Sequence, residues 1–343
     1  MNNLNRWSRI LQLLKQAVHK LRHIAQIRWL RWTIQTIVIA LCLIYLAINL
    51  KNAQEILAGL KPDFSNLFAA LGLTIVAVFL GASGWWFTLR ALGQPVNWLG
   101  SARAHCLSNL AKYIPGYAWQ LLGKAYLTNQ MGLPNSAVGL GMFLELLNLL
   151  LTGIFLGLIL LPADLVLQWS NSQPLTSLLP FIRALCLILL GLFPMIISST
   201  LKRRYGDQPG LQIVPAMIWA AALTSLVAWL FFGLAFWLLG ASMTPVPYTK
   251  IPLFIFTLAV SLIIGLVIIF VPGGLGIRES IMVLVLSPNY LSAPVAVIVA
   301  ALSRLIVILS ELLSVFLIEI TFRKPWEKKI WSTLHKSKVK NHK

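Results

Sequence analysis

At 343 residues, with 58% hydrophobic and 11% charged side chains and a formal net charge of +19, the chain is too apolar for a soluble two-domain enzyme. The positive charge does not signal nucleic-acid binding: 15 of the 28 Lys and Arg lie in the first 31 or last 22 residues, beside apolar runs, where basic clusters mark the cytosolic side of a membrane. Cys42, Cys106 and Cys186 lie within or beside apolar segments, which excludes a disulfide framework.

Residues 1–31 place Leu4, Trp7, Leu11, Leu14, Val18, Leu21 and Ala25 at helical spacing among Arg6, Arg9, Lys15, Lys20 and Arg22. The pattern predicts a basic amphipathic helix on the cytosolic leaflet, serving as a topology anchor or as an anionic-lipid contact. The first span, about Trp32 to Leu50, runs outward, and Leu67 to Leu89 returns. From about Leu99 to Gln130 the chain is broken at Pro115-Gly116 and carries Lys112 and Lys124, so it reads as a helical hairpin that enters from the cytosol and goes back. Ser136 to Leu161 crosses outward, and the following loop to Ser177 holds Asp164 and no Lys or Arg. Leu178 to Ser199 returns to Lys202-Arg203-Arg204, and Ile213 to Leu239 goes out again. A second broken hairpin, Thr249 to about Tyr290, is entered from outside and interrupted at Pro272-Gly273-Gly274-Leu275-Gly276. Ala293 to Ile320 brings the chain back to a basic tail, 323–343.

The fold class is therefore an all-α polytopic membrane protein: six full crossings plus two broken, re-entrant hairpins, or eight crossings if the arms of the second hairpin each cross. Both termini are cytosolic under either count. Four landmarks recur in order: Leu92-Gly93 with Leu239-Gly240, Pro115 with Pro272, Pro134 with Pro294, and Glu145 with Arg304 deep in the helices that follow. They predict an inverted internal repeat within one transmembrane domain, 32–322, with repeat one about 67–161, a connector span 178–199, and repeat two about 213–320.

Charge inside such a domain is costly and marks either a buried pair that fixes packing or a polar site. Glu145 and Arg304 lie at matching depth from opposite sides, roughly 14 to 16 Å from where their helices enter, and are expected to pair across the pseudo-twofold axis. Glu279 is expected to cap the half-helix after the second break or to pair with Arg304; Arg278 beside it stands where free N–H groups favour a phosphate. Lys112, Tyr113, Trp119, Gln120 and Lys124 form a cationic rim at the first break, suited to an anionic head group or to snorkelling anchors. Glu311, seven residues after Arg304, shares its helical face, and Asn148 and Ser310 add polarity. Catalytic signatures are thin. His19, His23, His105, His335 and His342 show no zinc spacing, and no paired acids occupy an external loop. Neither a cofactor nor a metal is expected.

The string Pro272-Gly273-Gly274-Leu275-Gly276-Ile277-Arg278-Glu279, with Ile114-Pro115-Gly116 and Glu145, resembles the lysylphosphatidylglycerol synthase transmembrane region family, also called the flippase-like domain family. The likeness covers about residues 30 to 322. Lys112-Tyr113-Ile114-Pro115-Gly116-Tyr117-Ala118-Trp119-Gln120 resembles the version found in stand-alone bacterial inner-membrane members, which often accompany polysaccharide or glycolipid biosynthesis. The resemblance implies a lipid transporter in the bacterial plasma membrane, without the soluble aminoacyl-transferring domain, that moves an anionic phospholipid or polyprenyl-linked glycolipid head group between leaflets. Alternatives are a non-transporting subunit that assists a glycosyltransferase or synthase, and an embedded transferase. Many members follow the buried Glu with Arg and then Asp. Here Leu146-Leu147-Asn148 follows Glu145, which shifts weight toward Arg278, Glu279 and Arg304. The expected partner is a membrane lipid or lipid-linked sugar; the oligomeric state stays open.

Overall fold

The computed structural model describes residues 61–113, 119–170, 173–206, 208, 210–268, 274, 276–287 and 290–340. The expected amphipathic segment 1–31, the first span with Cys42, and Pro115, Gly116, Pro272 and Gly273 lie outside the described residues.

All regular structure among the described residues is helical: α1 (Phe64–Ala91), α2 (Trp98–Leu110), α3 (Trp119–Asn129), α4 (Asn135–Leu160), α5 (Ala163–Ser170), α6 (Gln173–Tyr205), α7 (Pro215–Met243), α8 (Ile251–Val267), α9 (Ile277–Leu286) and α10 (Ala293–Lys340), with 3₁₀ turns at Ala111–Tyr113 and Tyr248–Lys250. Six segments are long and apolar enough to cross a membrane: α1, α4, α6 from Leu175, α7, Tyr248–Val267 and α10 to Phe322. Many of their large apolar side chains face outward, as at Phe181, Met195, Leu223 and Phe316. Such an apolar outer surface suits acyl chains rather than water. The chain is a multi-pass membrane protein.

Local sequence sets the helix ends. Asp63 accepts from Ser65 N at 2.9 Å to cap α1, and Asn97 accepts from Gly100 N at 2.7 Å to cap α2. Pro215 opens α7, and Pro252 stands in the first turn of α8, where a missing N–H costs nothing. The loop after α4, expected as a plain connector, contains the short helix α5.

The inverted repeat is visible in the packing. The most extensive helix contact is α1 on α7, the two corresponding first spans. They run antiparallel: Asp63 N donates to Ser242 O at 2.9 Å at one end, and Val214 N to Ala91 O at 2.9 Å at the other. Exchanging α1 with α7, α2 with α8, α3 with α9 and α4 with α10 maps each contact onto its partner: α2 on α10 becomes α8 on α4, and α1 on α10 becomes α7 on α4. The connector α6 stands outside this exchange and packs on α4 and α7.

The hairpin arms are short. α2 and α3, with 13 and 11 residues, span only ~20 and ~16 Å against a hydrocarbon core of ~30 Å. In the second hairpin α8 is longer, but α9 has 10 residues, and Lys250 before α8 stacks over the Tyr290 ring after α9 at 4.1 Å. The second hairpin thus returns to the face it entered from. The eight-crossing alternative does not fit this geometry, because α9 is too short to reach the other face.

Candidate functional site

The first hairpin brings a closed polar network into the protein. On α2, His105 and Asn109 are one turn apart and share a face, and Asn109 Nδ2 meets His105 Nε2 at 3.0 Å. Gln120, in the first turn of α3, donates to Asn109 Oδ1 at 2.8 Å, which fixes the amide orientation. Since Asn109 donates to Nε2, the neutral imidazole carries its proton on Nδ1, 3.1 Å from Glu145 Oε1. Lys124 of α3, only 4% exposed, places Nζ 2.8 and 2.6 Å from the two Glu145 oxygens and 4.6 Å from the centre of the Trp85 ring. A buried ammonium is tolerable only with such partners.

Where α2 ends, the 3₁₀ turn turns Lys112 and Tyr113 toward α10. Lys112 Nζ forms a salt bridge with Glu311, and Tyr113 Oη donates to the other carboxylate oxygen at 2.8 Å. Glu311 itself is 5% exposed. Nearer one end of α10, Arg103 pairs with Glu319 and lies 4.8 Å over the Phe322 ring.

The second hairpin supplies the other half. Gly274 and Gly276 have φ of +62° and +81°, a region that side chains avoid, so the turn into α9 depends on glycine. Glu279 sits three residues past Gly276 and reaches back, taking the Gly276 N–H on Oε2 at 2.7 Å. Its Oε1 accepts from Arg304 Nε. Both roles expected of Glu279 are filled at once. The stem of Arg278 lies against Gly265 and Gly274; a Cβ at Gly265 would meet Arg278 Cγ at 2.6 Å. Its Nε is buried and finds no hydrogen-bond partner among the described residues.

These groups form one electrostatic cluster. Lys112 feels Arg278 and Arg304 as well as Glu311; Arg278 feels Arg304, Glu279, Tyr113 and Glu311; and His105 feels both Glu145 and Glu311. Glu145 and Arg304 each lie about 15 Å along their helices, so the cluster sits near mid-depth. Among its members four cations (Lys112, Lys124, Arg278, Arg304) meet three carboxylates (Glu145, Glu279, Glu311), a formal excess of one positive charge, and Arg278 makes no salt bridge among the described residues.

Two expectations are corrected. Glu145 and Arg304 do not pair with each other: each meets an opposite charge on the short helix just before it in its own repeat, Lys124 and Glu279 respectively, because that partner is brought within reach by the hairpin turn alone. Nor do Lys112 and Lys124 form a rim at the interface: both are drawn inward to carboxylates. Asn148 is a packing contact, donating to Ala221 O at 2.9 Å and Ser225 Oγ at 2.7 Å on α7, and Ser310 bonds back to Val307 O. Sequence reasoning missed His105, Asn109 and Trp85. The one-turn spacing of His105 and Asn109 on a helix facing Glu145 was the available signal. No group of His, Cys, Asp and Glu among the described residues is arranged to hold a metal.

A family model described as "Lysylphosphatidylglycerol synthase TM region" matches residues 32–314. A comparison with curated proteins finds no match.

Proposed function

The chain belongs to the lysylphosphatidylglycerol synthase transmembrane-region family, a family of membrane lipid-related domains, and on that premise we propose that it moves the head group of an anionic phospholipid or polyprenyl-linked glycolipid between leaflets. The observation that carries this reading is the mid-depth cluster, assembled from two hairpins that enter from opposite faces and left with one guanidinium, Arg278, that makes no salt bridge among the described residues. Leaving a buried N–H unsatisfied costs about 1–3 kcal/mol, which a phosphate oxygen would relieve. Arg suits this task because its planar fork holds phosphate through two parallel bonds. Arg278 also stands in the first turn of α9, where the helix dipole favours an anion. Glu279 and Arg304 hold each other beside it, and Glu311 with Lys112 continues the polar path toward the first hairpin. A phosphate passing between Arg278, Arg304 and Lys112 exchanges cationic partners without entering hydrocarbon bare.

The reading assigns no catalytic residue. It places both termini in the cytosol of a bacterial inner membrane, following the positive-inside bias. The test is reconstitution into liposomes with fluorescent anionic phospholipids and with polyprenyl-linked glycolipids. The wild-type chain is expected to transport at least one of them well above protein-free vesicles. Arg278→Gln is expected to slow this about tenfold, as loss of one charge-assisted pair would, with Arg278→Lys in between. No transport above protein-free vesicles for any of these lipids overturns the proposal.

A second reading, a non-transporting subunit of a glycosyltransferase or synthase, draws support from the closed Gln120–Asn109–His105–Glu145–Lys124 network, which is fully satisfied without a ligand. Co-purification with a synthase, together with wild-type function from an Arg278→Ala, Glu279→Ala double variant, would favour it.

A further inference from the structure

A second charged site lies far from the mid-depth cluster. On the face opposite Lys202-Arg203-Arg204, the end of α4, α5, the first half of α6 and the start of α8 line an open cavity of about 310 Å³. That volume is at the lower end of the ~300–1,000 Å³ typical of small-ligand sites. Arg183, Lys250 and Asp164 all line it, with Thr249 and Tyr290.

The charges in this cavity are not neutralised by each other. In the mid-depth cluster every carboxylate is paired; here neither cation meets a carboxylate within 4 Å among the described residues, and Asp164 forms no salt bridge. Arg183 spends Nη2 on the carbonyl of Leu161 past the end of α4, at 2.8 Å, which pins its guanidinium, while its Nε is buried without a hydrogen-bond partner among the described residues. Lys250 rests over the Tyr290 ring at 4.1 Å, a contact that fixes its stem and leaves its N–H groups free to donate. Lys250 also stands at the N-cap of α8, a 17-residue helix whose dipole adds to the positive field.

We propose that this cavity binds a phosphate-bearing polyol head group, such as phosphoglycerol or a sugar phosphate. The Arg183 guanidinium and Lys250 Nζ hold the phosphate, the hydroxyls of Thr249 and Tyr290 add donors, and Asp164 accepts from a hydroxyl of the polyol. Leu160 and Leu253 offer apolar wall to the adjoining part of the ligand. The face is the outer one under the positive-inside bias, so the site stands where a head group is taken up or released on that side. The binding itself does not require transport.

The test is thermal unfolding of the detergent-solubilised full chain against increasing inorganic phosphate, glycerol 1-phosphate, short-chain phosphatidylglycerol and, as a zwitterionic control, short-chain phosphatidylcholine. A ligand that binds only the folded state raises the midpoint saturably. The wild type is expected to respond to glycerol 1-phosphate and to the anionic lipid more than to the control. Arg183→Gln with Lys250→Gln is expected to raise the half-saturating concentration about tenfold or more. A response to the lipid alone identifies the membrane as the source; a response to the soluble phosphates too identifies the phosphate group itself as what is read. No saturable response, or an identical one in the double variant, overturns the proposal. Should the double variant not fold, Asp164→Asn decides: the advantage of glycerol 1-phosphate over inorganic phosphate is expected to shrink, and an unchanged advantage counts against the site. Running the liposome assay on the same variants separates the two proposals, because binding lost with transport intact, or transport absent with binding intact, condemns only one of them.

Discussion

Where α2 crosses α10, the contact is held by Lys112 on Glu311 and Arg103 on Glu319, whereas the equivalent crossing of α8 on α4 packs Gly153 and Gly157 against Ile263, Ala259 and Val260. The two crossings occupy corresponding places in the repeat. With the 159-residue offset from Glu145 to Arg304, Glu311 corresponds to the Thr152–Gly153 step. One frame therefore tolerates both an ionic and a close-packed apolar solution at the same position. The hairpins differ in a similar way. The first satisfies its lysine, histidine and glutamate among themselves; the second pairs Glu279 with Arg304 and leaves Arg278 over. The difference teaches that the repeat supplies geometry and inversion, while the direction of charge excess comes from side chains that the two halves do not share.

The largest expected effect comes from opening the first hairpin's network. Glu145→Ala leaves Lys124 buried and unpaired, and removing one partner of a buried ion pair costs about 3–5 kcal/mol. Thermal unfolding of the purified protein is expected to show a large drop in midpoint. Replacing both partners, Lys124→Met with Glu145→Leu, is expected to recover part of it: the apolar pair needs no countercharge, while the buried His105 Nδ1–H loses its acceptor. A double variant as unstable as the single one would mean that the ammonium is not the source of the loss.

The apolar crossing is sharpened by a smaller perturbation. A Cβ at Gly153 would meet Trp229 Cζ2 at 2.6 Å and Cε2 at 2.9 Å, and Trp229 is itself buried and donates to Thr152 Oγ1 at 3.2 Å, so it has little room to yield. Gly153→Ala is expected to cost about 1–3 kcal/mol by overpacking. Gly139 lies on the same helix with nothing within 4 Å of such a Cβ, and Gly139→Ala is expected to be neutral or to stabilise by ~0.5–1 kcal/mol. Equal costs at the two positions would show that helix α4 is not held by close approach at Gly153.

How much of this was legible in the sequence follows from the range of the forces involved. Apolar run lengths and the placement of Lys and Arg define the spans, and α1, α4, α6, α7 and α10 fall where those runs do. The capping and pairing of Glu279 were legible because Gly276 and Glu279 are local, and Arg304 lies on the span that follows the hairpin in the same repeat. Which partner Glu145 takes was not. Depth along a helix is encoded in residue number, but the azimuth at which α3 packs on α2 and α4 is not, and that decides that Lys124 reaches Glu145 before Arg304 can. The cavity at Arg183 was hidden for a related reason: Arg183, Lys250 and Asp164 sit on three separate elements, and nothing in their spacing announces that they line one cavity.

The ionic crossing is itself graded with depth, and its outer rung should matter least. Arg103 and Glu319 keep about a third of their side-chain surface exposed, 32% and 29%; at the deeper rung Lys112 keeps 31%, but its partner Glu311 keeps only 6%. An exposed pair gains little because water or lipid head groups compete for both partners, and its contribution is ~0–1 kcal/mol. Arg103→Ala is therefore expected to lower the unfolding midpoint only slightly, with the lost contact to the Phe322 ring included in that small change. Lys112→Ala, one rung deeper, leaves the Glu311 carboxylate with the Tyr113 hydroxyl but without its cation, and is expected to cost clearly more. If the two substitutions proved equal, the α2–α10 contact would be held by helix packing throughout, and the contrast with the glycine-packed crossing of α8 on α4 would be one of composition rather than of energy.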